Sequence, residues 1–291
     1  PPRLDSSAAS DVYKRQGRGC CCVSTPAVPV KQIFLRMVQL EIQNITVKFG
    51  GLLALSELSF SIKAGEIVGL IGPNGAGKTT VFNVLTGVYH ATEGQVRFCG
   101  KNILGQKPHE IFSSGVARTF QNIRLFSNMT ALENAMVARH CRSKKGVVGA
   151  LLRSSAQKRE EQHIRDKARE ALEFMGVGAF ADTVAENLPY GLQRRLEIAR
   201  ALASQPKLLL LDEPAAGMNP SETTSLMKDI GRISDLGVDV LLVEHDMKVV
   251  MGVCKHIVCV DHGIKIAEGG PEEIQNNPQV IEAYLGQPAS Q

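Results

Sequence analysis

The chain has 291 residues, of which 44% are hydrophobic, 21% charged and 5% aromatic. These values are typical of a globular α/β protein and exclude a disordered chain. No apolar run approaches the ~20 residues that a membrane-spanning helix needs. The net charge of +4 comes entirely from residues 1–36, and the balanced remainder lacks the basic footprint of a nucleic-acid-binding protein, so we expect no nucleic-acid partner.

Residues 1–36 do not have the pattern of a folded domain. They mix Pro, Ser and Arg with a triplet of Cys, show no hydrophobic period and lack the apolar core of a signal peptide. Regular alternation begins only after Met37. We therefore expect Met37 to be the natural start and residues 1–36 to be a non-native extension; the alternative is a disordered native tail.

The cysteine pattern disfavours disulfides and a zinc site. There are seven Cys, an odd number, and no two have the C-x-x-C spacing. Cys99, Cys254 and Cys259 lie in or near apolar runs. We expect these three to be buried thiols in a reducing compartment.

Strands dominate the segment that follows Met37. Residues 38–49 alternate apolar and polar side chains, which predicts a half-buried strand. Further elements are then expected in this order: strands at Ser59–Ile62 and Glu66–Ile71, a helix over Lys78–Leu85 and a strand at Gln95–Phe98.

Residues 105–190 are more polar and have a helical pattern. Seven Lys/Arg and no acid lie between Arg139 and Arg159. Such a run fits either a surface that faces a partner or acidic lipid headgroups, or a solvated helix face or loop, and we favour the solvated face.

Helices and strands alternate again from Leu188 onward, which predicts a parallel sheet with helices on both faces. A hairpin is expected where Ile257–Val260 and Ile264–Ala267 flank the turn residues Asp261 to Gly263. The elements before it are a helix near Leu192–Ser204, a strand at Lys207–Leu211, a helix near Glu222–Leu236 and a strand at Val238–Val243.

The strongest chemical signal is the run GPNGAGKTT from Gly72 to Thr80, which matches the phosphate-binding pattern G-x-x-x-x-G-K-[ST]. Its glycines let the backbone curl so that N–H groups point at phosphate oxygens. Lys78 would supply positive charge to the outer phosphates, and Thr79 would offer a hydroxyl to Mg²⁺. The run follows an apolar strand and opens a helix, whose positive end would face the same anion.

A second signal is the apolar run from Lys207 that ends in Asp212, Glu213 and Pro214. A carboxylate at the tip of a buried strand is what a Mg²⁺ site beside a phosphate loop requires, so Asp212 is the candidate ligand. Glu213, one residue further on, is placed to polarise the attacking water as general base. Without the phosphate loop, the same residues would indicate only a strand end and a turn.

Gln121 and His245 are candidates because of their positions. A lone Gln or His is usually structural. His245 follows another apolar strand and so belongs at the carboxyl edge of the sheet, where ligands of such folds bind.

The order of these motifs resembles that of the nucleotide-binding subunits of ABC transporters. The order is the phosphate loop, Gln121, the segment Leu188–Ala201, the Asp-Glu pair and His245, and the resemblance covers residues 37 to about 287. Within that family, the sequence of several stretches is similar to that of the ATPase subunits of branched-chain amino-acid importers. The stretches that carry this similarity are residues 118–126, 212–220, 243–248 and 277–286.

The resemblance implies an α/β fold of the P-loop NTPase type. It would have a mainly parallel sheet core, an N-terminal antiparallel β subdomain and a helical subdomain inserted at about residues 122–200. The ATPase domain would cover residues 37–287, and residues 288–291 would be a tail.

The resemblance also implies residue roles. Phe49 would stack on adenine, Gln121 would contact Mg²⁺ or water and link the site to the membrane subunit, and His245 would contact the terminal phosphate. The segment Leu188–Leu192 would open a helix and act on the ATP of a second ATPase subunit. The implied catalytic residues are Lys78, Gln121, Glu213 and His245; the Mg²⁺ ligands are Thr79, Gln121 and Asp212; the nucleotide contacts are Phe49, Gly72, Pro73, Asn74, Gly75, Ala76, Gly77, Lys78, Thr79, Thr80, Pro189, Tyr190 and Gly191.

The chain departs from the family pattern in the signature segment and at Asn219. The family signature is Leu-Ser-Gly-Gly-Gln, and here Pro189 removes the serine hydroxyl and Leu192 replaces the amide. Asn219 stands where the family often has Asp. Weaker phosphate contact from the signature predicts low basal ATPase activity.

The implied function is ATP binding and hydrolysis that power an importer of branched-chain amino acids, with ATP and Mg²⁺ as cofactors. The partners would be transmembrane permease subunits, a second ATPase subunit in a homo- or heterodimer and, indirectly, a periplasmic or extracellular binding protein. The chain would be peripheral on the cytoplasmic face of the inner (plasma) membrane.

Urea, amides or other amino acids are alternative cargoes. A soluble ABC ATPase acting on ribosomes or DNA is a further alternative, disfavoured by the single phosphate loop, and a P-loop kinase would leave the signature and His245 unexplained.

Overall fold

The structure, a computed structural model, describes residues 38–142 and 155–285. The predictions for residues 1–36 and 288–291, and residues 143–154 of the basic run between Arg139 and Arg159, lie outside these residues. The strands are β1 (Val38–Phe49), β2 (Leu52–Lys63), β3 (Ile67–Ile71), β4 (Glu93–Phe98), β5 (Lys101–Asn102), β6 (Val116–Arg118), β7 (Leu208–Asp212), β8 (Asp239–Val243), β9 (His256–Asp261) and β10 (Ile264–Gly269). The helices are α1 (Lys78–Leu85), α2 (Pro108–Ser114), α3 (Ala131–Arg139), α4 (Ser155–Phe174), α5 (Tyr190–Ala203), α6 (Pro220–Asp235), α7 (Met247–Val253), α8 (Pro271–Gln275) and α9 (Pro278–Leu285), with 3-10 turns at His140–Arg142, Gly178–Phe180 and Ala185–Asn187.

The N-terminal strands form an antiparallel sheet of order β2-β1-β4-β5. β2 begins at Leu52, seven residues before the strand that the sequence predicted there. Its pairing with β1 shifts register several times, and Asn44 and Glu57 have positive φ. Such bulges break strict alternation, which is why the period of two showed only the last part of β2.

The second sheet has six strands in the order β10-β9-β3-β8-β7-β6. All neighbours in it are parallel except the β9–β10 hairpin. Parallel pairing and the hairpin were both predicted. β6 was not, because three residues are too few to show a period, and it lies in the stretch for which a helical pattern was expected.

The faces of the parallel sheet are covered by different layers. Leu209 and Leu211 of β7 face one apolar core with α3 to α7, whereas Leu208 and Leu210 face another with α1 and the antiparallel sheet. All four are fully buried, and each contributes roughly 1.5–3 kcal/mol to stability. Burial on both faces explains why β7 is continuously apolar.

Two side chains lie where the sequence did not predict them. Cys254 and Cys259 are buried as expected, but Cys99 is exposed in the turn between β4 and β5. Arg139, at the start of the basic run, is 8% exposed and donates to Gln205 Oε1 at 2.7 Å. Arg139 therefore lies on neither a solvated face nor a partner-facing surface.

Candidate functional site

The phosphate loop connects β3 to α1. β3 is buried along its whole length and is flanked by β8 and β9, so the loop emerges at the carboxyl edge of the sheet. Gly72 has φ 150°, and a Cβ there would lie 1.9 Å from the Val260 carbonyl oxygen. Gly77, with φ 105°, precedes the first turn of α1. Both positions require glycine, since a side chain would either clash or strain the backbone.

Lys78 is held inside the loop by the loop's own backbone. Its Nζ donates to the carbonyl oxygens of Gly72 at 2.6 Å and Pro73 at 2.8 Å. Burial lowers the pKa of Lys78, and the nearby Glu213, Cys259 and Asp212 oppose that shift. The Lys78 ammonium group therefore lies inside the loop, where it can bind an anion that the loop N–H groups hold.

A hydrogen bond from the far end of the chain reaches the same loop. The Gly72 N–H donates to the Tyr284 hydroxyl of α9 at 2.9 Å. Burial raises the pKa of Tyr284 to about 12, so the phenol stays neutral. Gly72 thus contacts α9 through its N–H and Lys78 through its carbonyl oxygen.

A cavity of about 310 Å³ opens in front of this loop. It brings together most of the predicted phosphate-binding residues and three candidates from other elements. Its lining residues are Asn74, Gly75, Ala76, Gly77, Lys78, Thr79, Thr80, Gln121, Glu213 and His245.

Glu213 lies between the two other candidates. Gln121 Nε2 donates to Glu213 Oε2 at 2.8 Å, and His245 Nε2 lies 2.7 Å from Glu213 Oε1. Glu213 has φ 46°, a conformation that non-glycine residues adopt at some cost and that is common at functional sites. Gln121 and His245, from two other loops, therefore converge on the Glu213 carboxylate at the cavity wall.

Asp212 is the last residue of β7 and is buried. Its Oδ2 forms an ion pair with Arg118 Nη2 at 2.8 Å. Thr79 and Gln121 line the cavity with hydroxyl and amide groups. Asp212 itself does not line the cavity. Mg²⁺ prefers oxygen ligands and typically takes one or two carboxylates with substrate phosphates and water, so the oxygen donors of Asp212, Thr79 and Gln121 are of the chemical type that a magnesium ion bound together with a phosphate chain requires.

Phe49 lies apart from that cavity. It ends β1, is 43% exposed and meets Tyr89 edge to face with ring centroids 5.0 Å apart. An exposed aromatic pair of this kind suits stacking on a flat base. Tyr89 was not predicted, and no motif points to it.

The segment 188–192 also lies apart from the cavity. Pro189 caps the start of α5 with no side-chain hydrogen bond, and its carbonyl accepts from the N–H groups of Leu192 and Gln193, each at 2.9 Å. The Tyr190 hydroxyl donates to the Ala216 carbonyl at 3.0 Å. Asn219 caps α6 by accepting from Glu222 N at 2.9 Å, which Asp would do equally well.

A buried ion pair joins α5 to the loop that carries Gln121. Arg194 and Glu197 are each 1% exposed and lie 3.1 Å apart. Arg194 donates to the carbonyls of Phe120 and Gln121 at 2.8 and 2.7 Å, and Glu197 accepts from the N–H groups of Phe120 and Arg124 at 3.4 and 3.3 Å. Burial raises the pKa of Glu197, and Arg194 opposes the shift. This pair was not predicted, although its i, i+3 spacing is visible in the sequence.

Comparison with known proteins matches two family models. The model described as "ABC transporter" covers residues 55–216, and the model described as "Branched-chain amino acid ATP-binding cassette transporter" covers residues 265–290. The second match includes α9 and its link to the phosphate loop.

Curated relatives match over 85% of this chain. The high-affinity branched-chain amino acid transport ATP-binding protein BraF of Pseudomonas aeruginosa is 47% identical over 249 residues, which is 98% of its own length. LivG of Escherichia coli, with the same description, is 46% identical over the same share of each chain. A probable LivG of Methanocaldococcus jannaschii is 34% identical over 85% of this chain and 97% of its own.

Solved structures share the fold. MJ1267, an ATP-binding cassette of an ABC transporter in its ADP conformation, superposes with a TM-score of 0.75 at 33% identity, covering 86% of this chain and all of that one. The cbiO1 protein from Clostridium perfringens, part of the ABC transporter complex cbiONQ, superposes with a TM-score of 0.71 at 26% identity, covering 86% and 96%. The predicted α/β P-loop architecture is confirmed.

None of the helices in residues 38–142 and 155–285 is long and apolar enough to cross a bilayer. The family model covers more than half of the chain, and the relatives are matched over nearly their full length. The chain belongs to the ABC transporter family, in the group of branched-chain amino acid transport ATP-binding proteins.

Proposed function

We propose that this chain binds and hydrolyses ATP and thereby powers the uptake of branched-chain amino acids through separate membrane subunits. The observation that carries the proposal is the convergence of Gln121 and His245 on Glu213 at the wall of the phosphate-loop cavity. A carboxylate fixed there by two neighbours is placed to act on a water molecule beside the terminal phosphate.

Catalysis in this proposal is positioning and charge stabilisation. The loop N–H groups cradle the phosphates, and Lys78 exchanges its loop carbonyls for phosphate oxygens. Glu213 accepts the proton of the attacking water, while Gln121 and His245 orient Glu213 and the terminal phosphate. Asp212, Thr79 and Gln121 would hold Mg²⁺, which would supply positive charge to the phosphates. Phe49 stacks on the adenine.

The working unit in this proposal has two ATPase subunits, identical or different. Pro189, Tyr190 and Gly191 do not line the cavity of their own chain, and in this proposal they complete the site of a partner. The start of α5 then offers N–H groups to the terminal phosphate of the partner's ATP. The pair attaches to transmembrane permease subunits at the cytoplasmic face of the plasma membrane, and a binding protein on the other side delivers the cargo.

The cargo rests on the relatives, since their printed names specify branched-chain amino acids. No residue of an ATP-binding subunit needs to contact the cargo. The test is ATP hydrolysis by this chain in proteoliposomes with its own permease subunits and binding protein. We expect leucine, isoleucine or valine to accelerate hydrolysis and urea to have no effect. Acceleration by urea or a short amide, with no response to leucine, would contradict the assigned cargo and leave the ATPase role intact.

A further inference from the structure

Arg118 forms an ion pair with Asp212, the candidate magnesium ligand. Arg118 ends β6, which runs parallel to β7, and it pairs in register with Leu210. Its Nη2 lies 2.8 Å from Asp212 Oδ2, and the two side chains are only 7% and 8% exposed. Since an arginine does not lose its charge in a protein, it permanently compensates the charge of this buried carboxylate.

The other arm of the same guanidinium reaches α1. Nη1 donates to Asn83 Oδ1 at 2.7 Å and lies 3.5 Å from Thr86 Oγ1. α1 begins at Lys78, so its first turn carries Thr79. Arg118 therefore connects two elements: α1, which carries the Thr79 hydroxyl, and β7, which ends at the Asp212 carboxylate.

The guanidinium of Arg118 lies over two aromatic rings. The rings of Phe82 and Phe120 lie 5.3 and 5.1 Å from its central carbon. Among the described residues, its buried Nε–H has no hydrogen-bond partner. The ring contacts, together with the hydrogen bonds to Asn83 and Asp212, fix the position of the Arg118 guanidinium. That fixed position sets the separation of α1 from the end of β7.

We propose that Arg118 is a positioning residue for magnesium, which holds Thr79 and Asp212 at the separation that the ion requires. The inference rests on the ATP site of the proposed function. Mg²⁺ demands near-ideal octahedral geometry, so a small change in the spacing of its ligands lowers its affinity. A lysine in place of Arg118 would keep the charge but would lose the fork that spans the two elements.

The test is a magnesium titration of nucleotide binding. The purified chain is mixed with mant-ATP, a fluorescent ATP analogue, and the half-saturating Mg²⁺ concentration is read from fluorescence. For Arg118→Lys we expect this concentration to rise about tenfold, as is usual when a group behind a metal ligand is lost. The affinity for mant-ATP in EDTA should change less than about threefold, because the variant keeps the charge.

A second variant separates the two arms. Asn83→Ala removes the acceptor on α1 and leaves the ion pair with Asp212 in place. We expect the half-saturating Mg²⁺ concentration to rise about threefold, because one hydrogen bond of the tether is lost. This variant also keeps the test available if Arg118→Lys does not fold.

Arg195→Lys is the matched control. Arg195 forms a comparable buried pair with Asp229 at 2.9 Å, with exposures of 15% and 8%, and donates to Ser225 Oγ at 2.7 Å. Neither partner lines the phosphate-loop cavity. This variant should lose stability while its half-saturating Mg²⁺ concentration stays within twofold of wild type.

Three results would overturn the inference. If Arg118→Lys and Asn83→Ala titrate like the Arg195 control, Arg118 is only a structural pair. If the half-saturating concentration falls, Arg118 competes with the ion instead of positioning its ligands. A wild type that binds mant-ATP without any response to Mg²⁺ would contradict the proposed site itself, and this inference with it.

Discussion

Two buried arginine–carboxylate pairs, Arg118–Asp212 and Arg194–Glu197, have different surroundings. Asp212 accepts from Arg118 at the carboxyl edge of the sheet, one residue before Glu213, which lines the phosphate-loop cavity. Glu197 accepts from Arg194 and from two backbone N–H groups of the loop itself. The first carboxylate adjoins a site where it can gain a ligand, whereas the second is saturated by its own chain.

The difference shows that the residue types of an ion pair do not reveal its role. Both pairs are almost completely buried, and both cost desolvation to form. Only the remaining partners of the carboxylate separate a pair that serves a site from a pair that holds a loop. The variants below test that distinction by removing one partner at a time.

The largest effect is expected from Glu197→Ala. It leaves Arg194 buried without its counter-ion, so the free energy of unfolding should fall by about 3–5 kcal/mol in urea denaturation. The matched control is Glu170→Ala, which breaks the exposed Lys167–Glu170 pair, 2.6 Å long and 30% and 61% exposed. An exposed pair contributes at most about 1 kcal/mol. Equal losses in the two variants would contradict the comparison.

Asp239 offers a third case, a buried carboxylate without a cation partner among the described residues. It accepts from Gly65 N at 2.6 Å, and burial raises its pKa to about 6, with Glu66 adding to the shift. The folded state therefore holds this proton more tightly than the unfolded chain does. The stability that the group contributes is present below pH ~4 and is lost as pH rises through ~6.

The substitution Asp239→Asn removes this loss of stability at high pH, because an amide does not ionise. We expect the variant to be more stable than wild type by about 1–3 kcal/mol at pH 7.5, with the difference shrinking as the pH falls to 5. Urea denaturation at the two pH values measures it. A variant that is less stable than wild type at pH 7.5 would show that the ionised carboxylate stabilises the fold.

The smallest effect is expected from Tyr284→Phe, which removes one neutral hydrogen bond to the phosphate loop. The unfolding free energy should fall by about 1 kcal/mol, because the Gly72 N–H loses its acceptor. Tyr89→Phe, at a side chain 36% exposed, is the control. If both variants are as stable as wild type in the same urea denaturation, α9 does not support the loop through this hydroxyl.

The phosphate loop and the Asp212-Glu213 pair could be predicted because each is a short, contiguous run with its own chemistry. The apolar runs that became β3, β7 and β8 gave the parallel sheet for the same reason. Contacts between distant positions were not visible. Arg118 meets Asp212 across 94 positions and Tyr284 meets Gly72 across 212. No periodicity marks such pairs, since only the fold brings them together.

The direct test of the account is ATP hydrolysis by residues 37–291, wild type against Glu213→Gln, with size-exclusion chromatography in ATP and Mg²⁺. We expect slow turnover by wild type, a loss of at least about 100-fold in the variant, and an ATP-bound dimer of the variant. Hydrolysis by Glu213→Gln at the wild-type rate would contradict the assignment of Glu213 as the general base, and a variant that binds ATP but never dimerises would contradict the shared site.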